Sequence, residues 1–370
     1  MSLAFLNGIY MSGGDGVLAS LIDRSAAELE VPYGVEVIGG YSIMMLNNLT
    51  KLTIPETVKK IDPYGICVNG NIENIKLPDS LEEIKSNVFY GMGKLKELKF
   101  GSGLRSIGDS NFRNNGQIES YDFSASQAVP TLGSGCFVGN NDTFKIYVPV
   151  SLYDEWVAAT NWAEVADHIV GVLREEMLVP SEGLAIAYGD AWGMDAEQYT
   201  VTGRGDCTDS FVVIPEKYDD GTHGELEVKD IAQFAFSQDD TLTAIYIPKT
   251  ITGIYTDPIS SCPNLKKIYM TGVTALASIH FNYLTALEYV KFGSGLTDIG
   301  GGVFHGCAAG AVYDFSECES VPAFDSYYGN DYGIWEFGTE PVIKVPASLY
   351  EEWKAATNWT LYADYIVAAE

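Results

Sequence analysis

Apolar residues recur along this chain in pairs of short alternating runs about 23 residues apart. LTKLTIPETVKKIDPYGICVNGN (49–71) is followed by IENIKLPDSLEEIKSNVFYGMGK (72–94) and LKELKFGSGLRSIGDSNFRNNGQ (95–117). Such units begin near Ala26, Leu49, Ile72, Leu95 and Ile118. They return near Leu242, Leu265 and Leu287, with a degenerate one near Gly310. The shared pattern is L-x-x-I-x-I-P, a polar turn, V/L-x-x-I-G, then an aromatic before Gly or Asn. Each unit predicts two short strands. In the first, Leu52 and Ile54 point in while Thr53 points out. Pro55, Pro78 and Pro248 close that strand, where no further ladder N–H is needed. Glycines after the second strand permit a sharp corner. One unit cannot bury its own apolar side, but stacked units can, so the period predicts a repeat solenoid.

A longer period overlies the short one. VPVSLYDEWVAATNWAEVADHIV (148–170) returns as VPASLYEEWKAATNWTLYADYIV (345–367), identical at 16 of 23 positions. Both segments read as helical caps closing a stack. Ser151 precedes Asp154, and Ser348 precedes Glu351, in capping-box spacing. Leu152, Trp156 and Ala159 share one helix face, as do Leu349, Trp353 and Ala356, so the Trp pairs are expected to plug the stack ends. An internal cap implies tandem duplication: a first module over 1–172 and a second over 173–370. The second opens with a hairpin region at about 184–208.

These repeats resemble the BspA-like leucine-rich repeats, an extracellular class of gut bacteria, some protists and their phages. LTKLTIPETVKKI, IENIKLPDSLEEI, LTAIYIPKTITGI and YTVTGRGDCTDSFVVIP (199–215) carry the resemblance, which covers roughly 25–147 and 199–341. It implies a right-handed, curved solenoid with parallel sheet on one face and a surface-exposed role in adhesion or recognition. The chain departs from the pattern at 310–341, where the sequence YYGNDYGIWEFG (327–338) stands.

Composition narrows the partners. The charged fraction is 19% and the hydrophobic fraction 46%, which suits a folded chain. Fifty acidic against 22 basic residues give a formal charge of −28, which repels phosphate backbones and makes nucleic acid an unsuitable partner. No uncharged stretch has the length and apolarity to span a bilayer. The opening MSLAFLNGIYMSGGDG lacks a basic n-region and cleavage site, so no export signal is read there.

The search for reactive chemistry returns little. Cys67, Cys136, Cys207, Cys262, Cys307 and Cys318 form no CxxC, and three follow a second apolar segment, where a small buried hydrophobe fits. His168, His223, His280 and His305 are scattered, with no zinc spacing. No phosphate-binding loop or nucleophile elbow occurs. FGSGL (100–104 and 292–296) reads as a turn, and GNND (139–142) and KYDDG (217–221) lack EF-hand spacing. No cofactor or metal is expected. Arg204, Gly205 and Asp206 spell an adhesion tripeptide, inside a segment equally well read as a turn.

The register offers the strongest candidate surface. Outward positions of stacked first strands lie about 4.8 Å apart. In the first module that row is Glu30, Thr53, Lys76, Lys99 and Asp122. In the second it is Tyr246, Tyr269, Lys291 and Asp314, with Tyr289 two positions before Lys291. Outward tyrosines with polar neighbours suit recognition of a protein or glycan, or packing beneath another segment. The expected function is non-catalytic recognition at the cell surface through Tyr246, Tyr269, Tyr289 and Lys291. A structural or phage-associated appendage is the alternative. A carboxylate hydrolase comes third, needing two carboxyl groups about 5–10 Å apart in a cleft.

Overall fold

A computed structural model describes residues 4–6, 9–12, 16–21, 24–190, 197–254, 257–276, 281–324, 337 and 339–369. His280, and the divergent segment 327–338 apart from Phe337, lie outside them. The chain divides into two compact units, Met1–Leu178 and Val179–Glu370. Each is a solenoid of parallel strands with few, short helices.

The first strand of each repeat builds one sheet. In unit 1, Asn74–Lys76, Glu97–Lys99, Ser120–Asp122, Lys145–Pro149 and Ile169–Val172 run side by side in that order. Glu28–Glu30 pairs in parallel with Lys51–Thr53 ahead of them. Leu98 stands opposite Ile75 on one side and Tyr121 on the other, and all three are buried. Leu52 and Ile54 are likewise buried and Thr53 exposed. This is the alternation of a strand with one dry face. The second strands form another ladder, in which Ile38, Ile61, Ile84, Ile107 and Leu132 line up inside. Three antiparallel strands, Ala4–Leu6, Ile9–Ser12 and Val17–Leu21, start that ladder, an opening that the repeat period does not reveal.

Unit 2 repeats the scheme. Phe211–Val213, Ala244–Ile247, Lys267–Met270, Tyr289–Phe292, Val312–Asp314, Val342–Val345 and Ile366–Ala368 form its first sheet. An antiparallel pair, Ala185–Tyr188 with Tyr199–Gly203, precedes them.

The third side of each turn is a corner held by backbone in the left-handed region. Tyr41, Tyr64, Asn87 and Ser110 have positive φ at intervals of 23 residues, as do Met45, Val68, Gly91 and Asn114. The conformation lets each N–H reach the following turn. Asn87 donates to the Asp109 carbonyl at 3.0 Å, Asn114 to Val138 at 2.9 Å, and Phe234 to Asp257 at 2.7 Å. Buried side chains complete the ladder. Asn111 accepts from the Val88 N–H at 3.0 Å and donates to the carbonyls of Lys85 and Gly108 at 2.8 and 2.7 Å. One turn on, Cys136 reaches the carbonyls of Gly108 and Gly133 with its thiol. Cys262 and Cys307 bond Phe236 and Phe281 carbonyls in the same way. All six cysteines are free and buried. Burial pushes the thiols of Cys136 and Cys262 up to about 11, and those of Cys307 and Cys318 up to about 12. They are small buried donors, not nucleophiles.

The caps differ from the expected helices. Helix α1 spans only Tyr153–Ala158 and α2 only Tyr350–Ala355. Each follows a 3₁₀ turn, Val150–Leu152 or Ala347–Leu349. That turn absorbs Ser151 and Ser348 and leaves Leu152 and Leu349 at the N-caps, with no side-chain cap bond. The capping-box reading is therefore corrected. The cap then reverses at Asn161 (φ 66°) or Asn358 (φ 65°) and returns as a strand paired with the sheet. The indoles sit where the plug was expected. Trp156, Trp162, Trp353 and Trp359 are fully buried, as edge-on pairs with centroids 5.2 and 5.4 Å apart. Trp162 donates to the Pro130 carbonyl at 2.8 Å and Trp359 to Pro322 at 2.9 Å. The Trp156 and Trp353 indole N–H groups have no hydrogen-bond partner among the described residues.

The two indoles of a pair should therefore differ in the cost of replacement. Trp162→Phe removes a buried hydrogen bond and orphans a carbonyl. Trp156→Phe removes a donor that was already unpaired. Trp162→Phe is expected to be the more destabilising by about 1–2 kcal/mol. Urea midpoints of the two variants measure this, and equal losses would contradict it.

Candidate functional site

The outward row of unit 2 is set by strand pairing. Tyr246 is opposite Tyr269, Tyr269 opposite Lys291, and Lys291 opposite Asp314. Their neighbours on the inner face, Ile245, Ile268, Val290 and Tyr313, belong to the core. The row thus faces away from the core, yet it is not open. Tyr246 and Tyr269 are each 4% exposed, and Tyr289 is half-buried. The Tyr269 ring lies 6.0 Å from both the Phe211 and Tyr289 rings. The Tyr246 hydroxyl is 3.4 Å from that of Thr271. No broad ring face of Tyr246 or Tyr269 is presented to solvent.

The polar end of the row is a closed network. Tyr289 donates its hydroxyl to Asp314 at 2.6 Å. The Lys291 ammonium lies 3.6 Å from Asp314 and 3.1 Å from Glu317, and bonds the Ser316 hydroxyl at 3.1 Å. The Ser316 N–H donates to Asp314 at 2.9 Å. Burial disfavours the Asp314 anion, but the Ser316 and Tyr289 hydrogen bonds and the Lys291 charge outweigh it, holding the carboxyl below its ordinary range. Burial, followed by the Asp314 contact, pushes the Tyr289 phenol well above its ordinary value. Unit 1 carries the counterpart. Asp122 accepts from the Ser124 N–H at 2.9 Å, Lys99 lies 4.0 Å away, and Arg174 bonds Ser124 at 2.8 Å and approaches Asp122 at 3.7 Å. In both units the acid is neutralised and internally bonded, so neither network offers a free general acid or base.

The adhesion tripeptide is also engaged. Arg204 forms an ion pair with Asp239 at 2.7 Å and donates to the carbonyls of Cys207, at 2.9 Å, and Asp209. Gly205 occupies the left-handed region, and the Asp206 N–H closes on the Gly183 carbonyl at 2.9 Å. The Asp206 side chain is exposed. Among the described residues no group of His, Cys, Asp and Glu is arranged to hold a metal. No described helix is long and apolar enough to cross a membrane.

Exposed rings that sequence reasoning missed lie at the corners of each unit. Tyr41 is 59% exposed, Phe234 57% and Tyr283 54%, although all three have positive φ. Tyr64, also left-handed, stacks against Tyr41 with centroids 5.1 Å apart and planes 8° from parallel. A bulky residue in this region is an outlier that costs on the order of 1–3 kcal/mol. Asn and Gly hold the same positions in neighbouring turns at lower cost. The only sequence signal was an aromatic where the other turns place Asn, Ser or Gly.

The family model for the BspA type leucine rich repeat region matches residues 23–152 and 224–327, in six copies. No curated protein matches the chain. Among solved structures, a leucine rich cell surface protein from Faecalibacterium prausnitzii A2-165 is 14% identical, over 80% of this chain and 90% of its own, with a TM-score of 0.29. The pneumococcal vaccine antigen PcpA is 15% identical over 99% and 97%, with a TM-score of 0.31. A leucine-rich repeat protein from Bacteroides ovatus ATCC 8483 is 12% identical over 100% and 98%, with a TM-score of 0.23. At these identities and scores the likeness assigns no ligand and no role to this chain.

The Asp314 network predicts a specific acid sensitivity. A carboxyl held low in the folded state contributes stability that is complete above its unfolded value of about 3.9 and is lost as pH falls through the lower folded value. Asp314→Asn should therefore lower stability at neutral pH. It should also lose less than the wild type between neutrality and about pH 3. Urea midpoints at the two pH values test this, and equal acid losses would refute it.

Proposed function

Because this chain belongs to the BspA-type leucine-rich repeat family, matched over more than half of its length, we propose that it is a non-enzymatic recognition protein of the cell surface. Its partner is a protein or a glycan, engaged through exposed aromatic rings at the solenoid corners. One observation carries this reading: Tyr41, Phe234 and Tyr283 keep exposed rings on left-handed backbone, where the fold itself asks only for a residue that tolerates positive φ. An exposed ring held rigidly offers contact area at little entropic cost on binding. The stacked Tyr41–Tyr64 pair gives a flat platform of the kind that takes the apolar face of a sugar or a peptide side chain.

The sheet row of Tyr246, Tyr269, Tyr289 and Lys291 is the second contact surface we propose. Two of its rings are 4% exposed, so engagement there requires the side chains around them to rearrange. Arg204, Gly205 and Asp206 would serve adhesion only if Arg204 released Asp239. A structural or appendage role is favoured if no partner is found.

Asparagine is the diagnostic substitution, because Asn87 already occupies the equivalent corner position one turn after Tyr64. Tyr41→Asn with Tyr64→Asn should leave stability unchanged or raise it by up to about 1 kcal/mol per site as backbone strain is relieved. The same variant should lose binding by at least about tenfold against any hit from a glycan and matrix-protein panel. The triple variant Tyr246→Ala, Tyr269→Ala, Tyr289→Ala forms the second arm. Binding retained by the corner variant and lost by the sheet variant would move the contact to the sheet face. Binding retained by both would exclude both surfaces.

A further inference from the structure

The closed end of unit 1 contains a cleft. It measures about 280 Å³ and lies between the last corner of the stack and the 3₁₀ segment Ala163–His168 of the cap. Phe137, Phe144, Val165 and His168 give it apolar and aromatic walls, and Asp142 and Glu164 contribute two carboxylates. The aromatic walls are ordered by stacking. The Phe144 and His168 rings are 4.0 Å apart and 2° from parallel, and Phe137 stacks on Phe144 at 5.5 Å.

The cap of unit 2 provides an internal control. Its sequence is the same at 16 of 23 positions, and its reversal is the same: Asn161 bonds the Leu132 carbonyl at 2.6 Å, and Asn358 bonds Phe324 at 2.6 Å. Three of the differing positions fall on the cleft. Val165 is replaced by Tyr362, Glu164 by Leu361 and His168 by Tyr365. Tyr362 is fully buried, with its ring 6.0 Å from Phe324 and 5.3 Å from Phe337. Leu361 and Tyr365 also pack on the core. Unit 2 thus fills this position with apolar bulk. Unit 1 has a shorter side chain there and two acids beside it, and its cap still folds in the same manner.

The polar lining accepts hydrogen bonds and has few donors to give. Asn140 receives the Asn115 N–H and donates to Tyr121. Asn141 receives Thr143 and donates to the Ile118 carbonyl. His168 holds its Nδ1 on the Phe144 carbonyl at 3.0 Å, which makes that nitrogen a committed donor. The lining contains no Lys or Arg. A concave site with aromatic walls, two carboxylates and spent donors is complementary to a cation on an apolar stem.

We propose that this cleft binds an alkylammonium group, supplied either by a free aliphatic amine or by a lysine side chain of a partner protein. The ammonium sits between Asp142 and Glu164, and the stem lies along the half-buried Phe137 and Val165. The site is separate from the corner aromatics, so Tyr41→Asn with Tyr64→Asn should leave it intact.

Calorimetric titration of the full chain tests this with three probes: 1,5-diaminopentane, Nα-acetyl-lysine methylamide and the neutral 1,5-pentanediol. Saturable binding of either amine, weakened by added salt and absent for the diol, is the expected result. Binding of the lysine amide alone would assign the source to a protein. Equal or better binding of the diamine would assign it to a small amine. Val165→Tyr and Glu164→Leu import the residues that unit 2 already uses, so thermal melting should remain at the wild-type temperature while affinity falls at least about tenfold. Nuclear magnetic resonance shifts confined to the cap would locate the probe, including for a variant that lost stability. No saturation by either amine, equal affinity for the diol, or undiminished binding by both variants would overturn the proposal.

Discussion

Backbone hydrogen bonding from one turn to the next governs everything else in each unit. A strand residue pairs with the residue 23 positions away, as Leu98 does with Ile75 and Tyr121. That spacing brings equivalent side chains within about 4.8 Å of each other in columns. Each column must then solve one physical problem repeatedly. Inner columns do so with aliphatic and aromatic stacking, as where Phe123 lies on Phe100 at 3.7 Å and Phe315 on Phe292 at 4.2 Å. Corner columns do so with a buried donor to the preceding turn, and amide or thiol serves equally: Asn111 reaches the Lys85 carbonyl and Cys136 that of Gly108. An Asn and a Cys look unrelated in sequence, yet here they are alternative answers to one unsatisfied carbonyl.

The same constraint explains the buried acids. Lys99 to Ile107 spans eight steps, but Asp122 to Leu132 spans ten; Lys291 to Ile299 spans eight, and Asp314 to Phe324 ten. The final full turn of each unit carries two extra residues between its strands. The surplus starts at the Asp-Phe-Ser sequence, where the carboxylate accepts the N–H two residues on and folds the chain into a side-chain-closed turn. Such an acid is withdrawn from solvent beside the sheet, fully at Asp314 and partly at Asp122, and needs a cation. Lys291 answers in unit 2, and Arg174 with Lys99 in unit 1. A polar network that invites a catalytic reading is thus the consequence of a longer turn.

The repeat, the alternation Leu52-Thr53-Ile54 and the Trp plugs were legible because each depends on short-range pattern reinforced many times. The register that sets Tyr246 beside Tyr269 and Lys291 was legible for the same reason. The burial of those tyrosines was not, because it depends on how side chains such as Phe211, Thr271 and Tyr289 pack around them, which the period does not state. Ser151 misled as a capping residue because Pro149 extends the preceding strand and a 3₁₀ turn intervenes before α1. The left-handed corners were half visible. Asn87 and Gly91 advertise positive φ, whereas Tyr41 and Tyr64 conceal it until the backbone is seen.

Duplication separates what the fold requires from what it merely tolerates. Positions kept in both caps are those with a structural duty: Asn161 and Asn358 reverse the chain, and Trp162 and Trp359 each close a carbonyl. Positions that diverged are released from that duty, and their chemistry then needs its own explanation. Val165 stands where unit 2 has Tyr362, a fully buried ring packed on Phe324 and Phe337. Tyr41 in place of Asn accepts strain that Asn87 shows to be avoidable. A less favourable choice beside a proven better one is hard to attribute to folding. It is the physical reason to look for binding at the corners and at the closed end of unit 1, and not in the networks that the longer turns require.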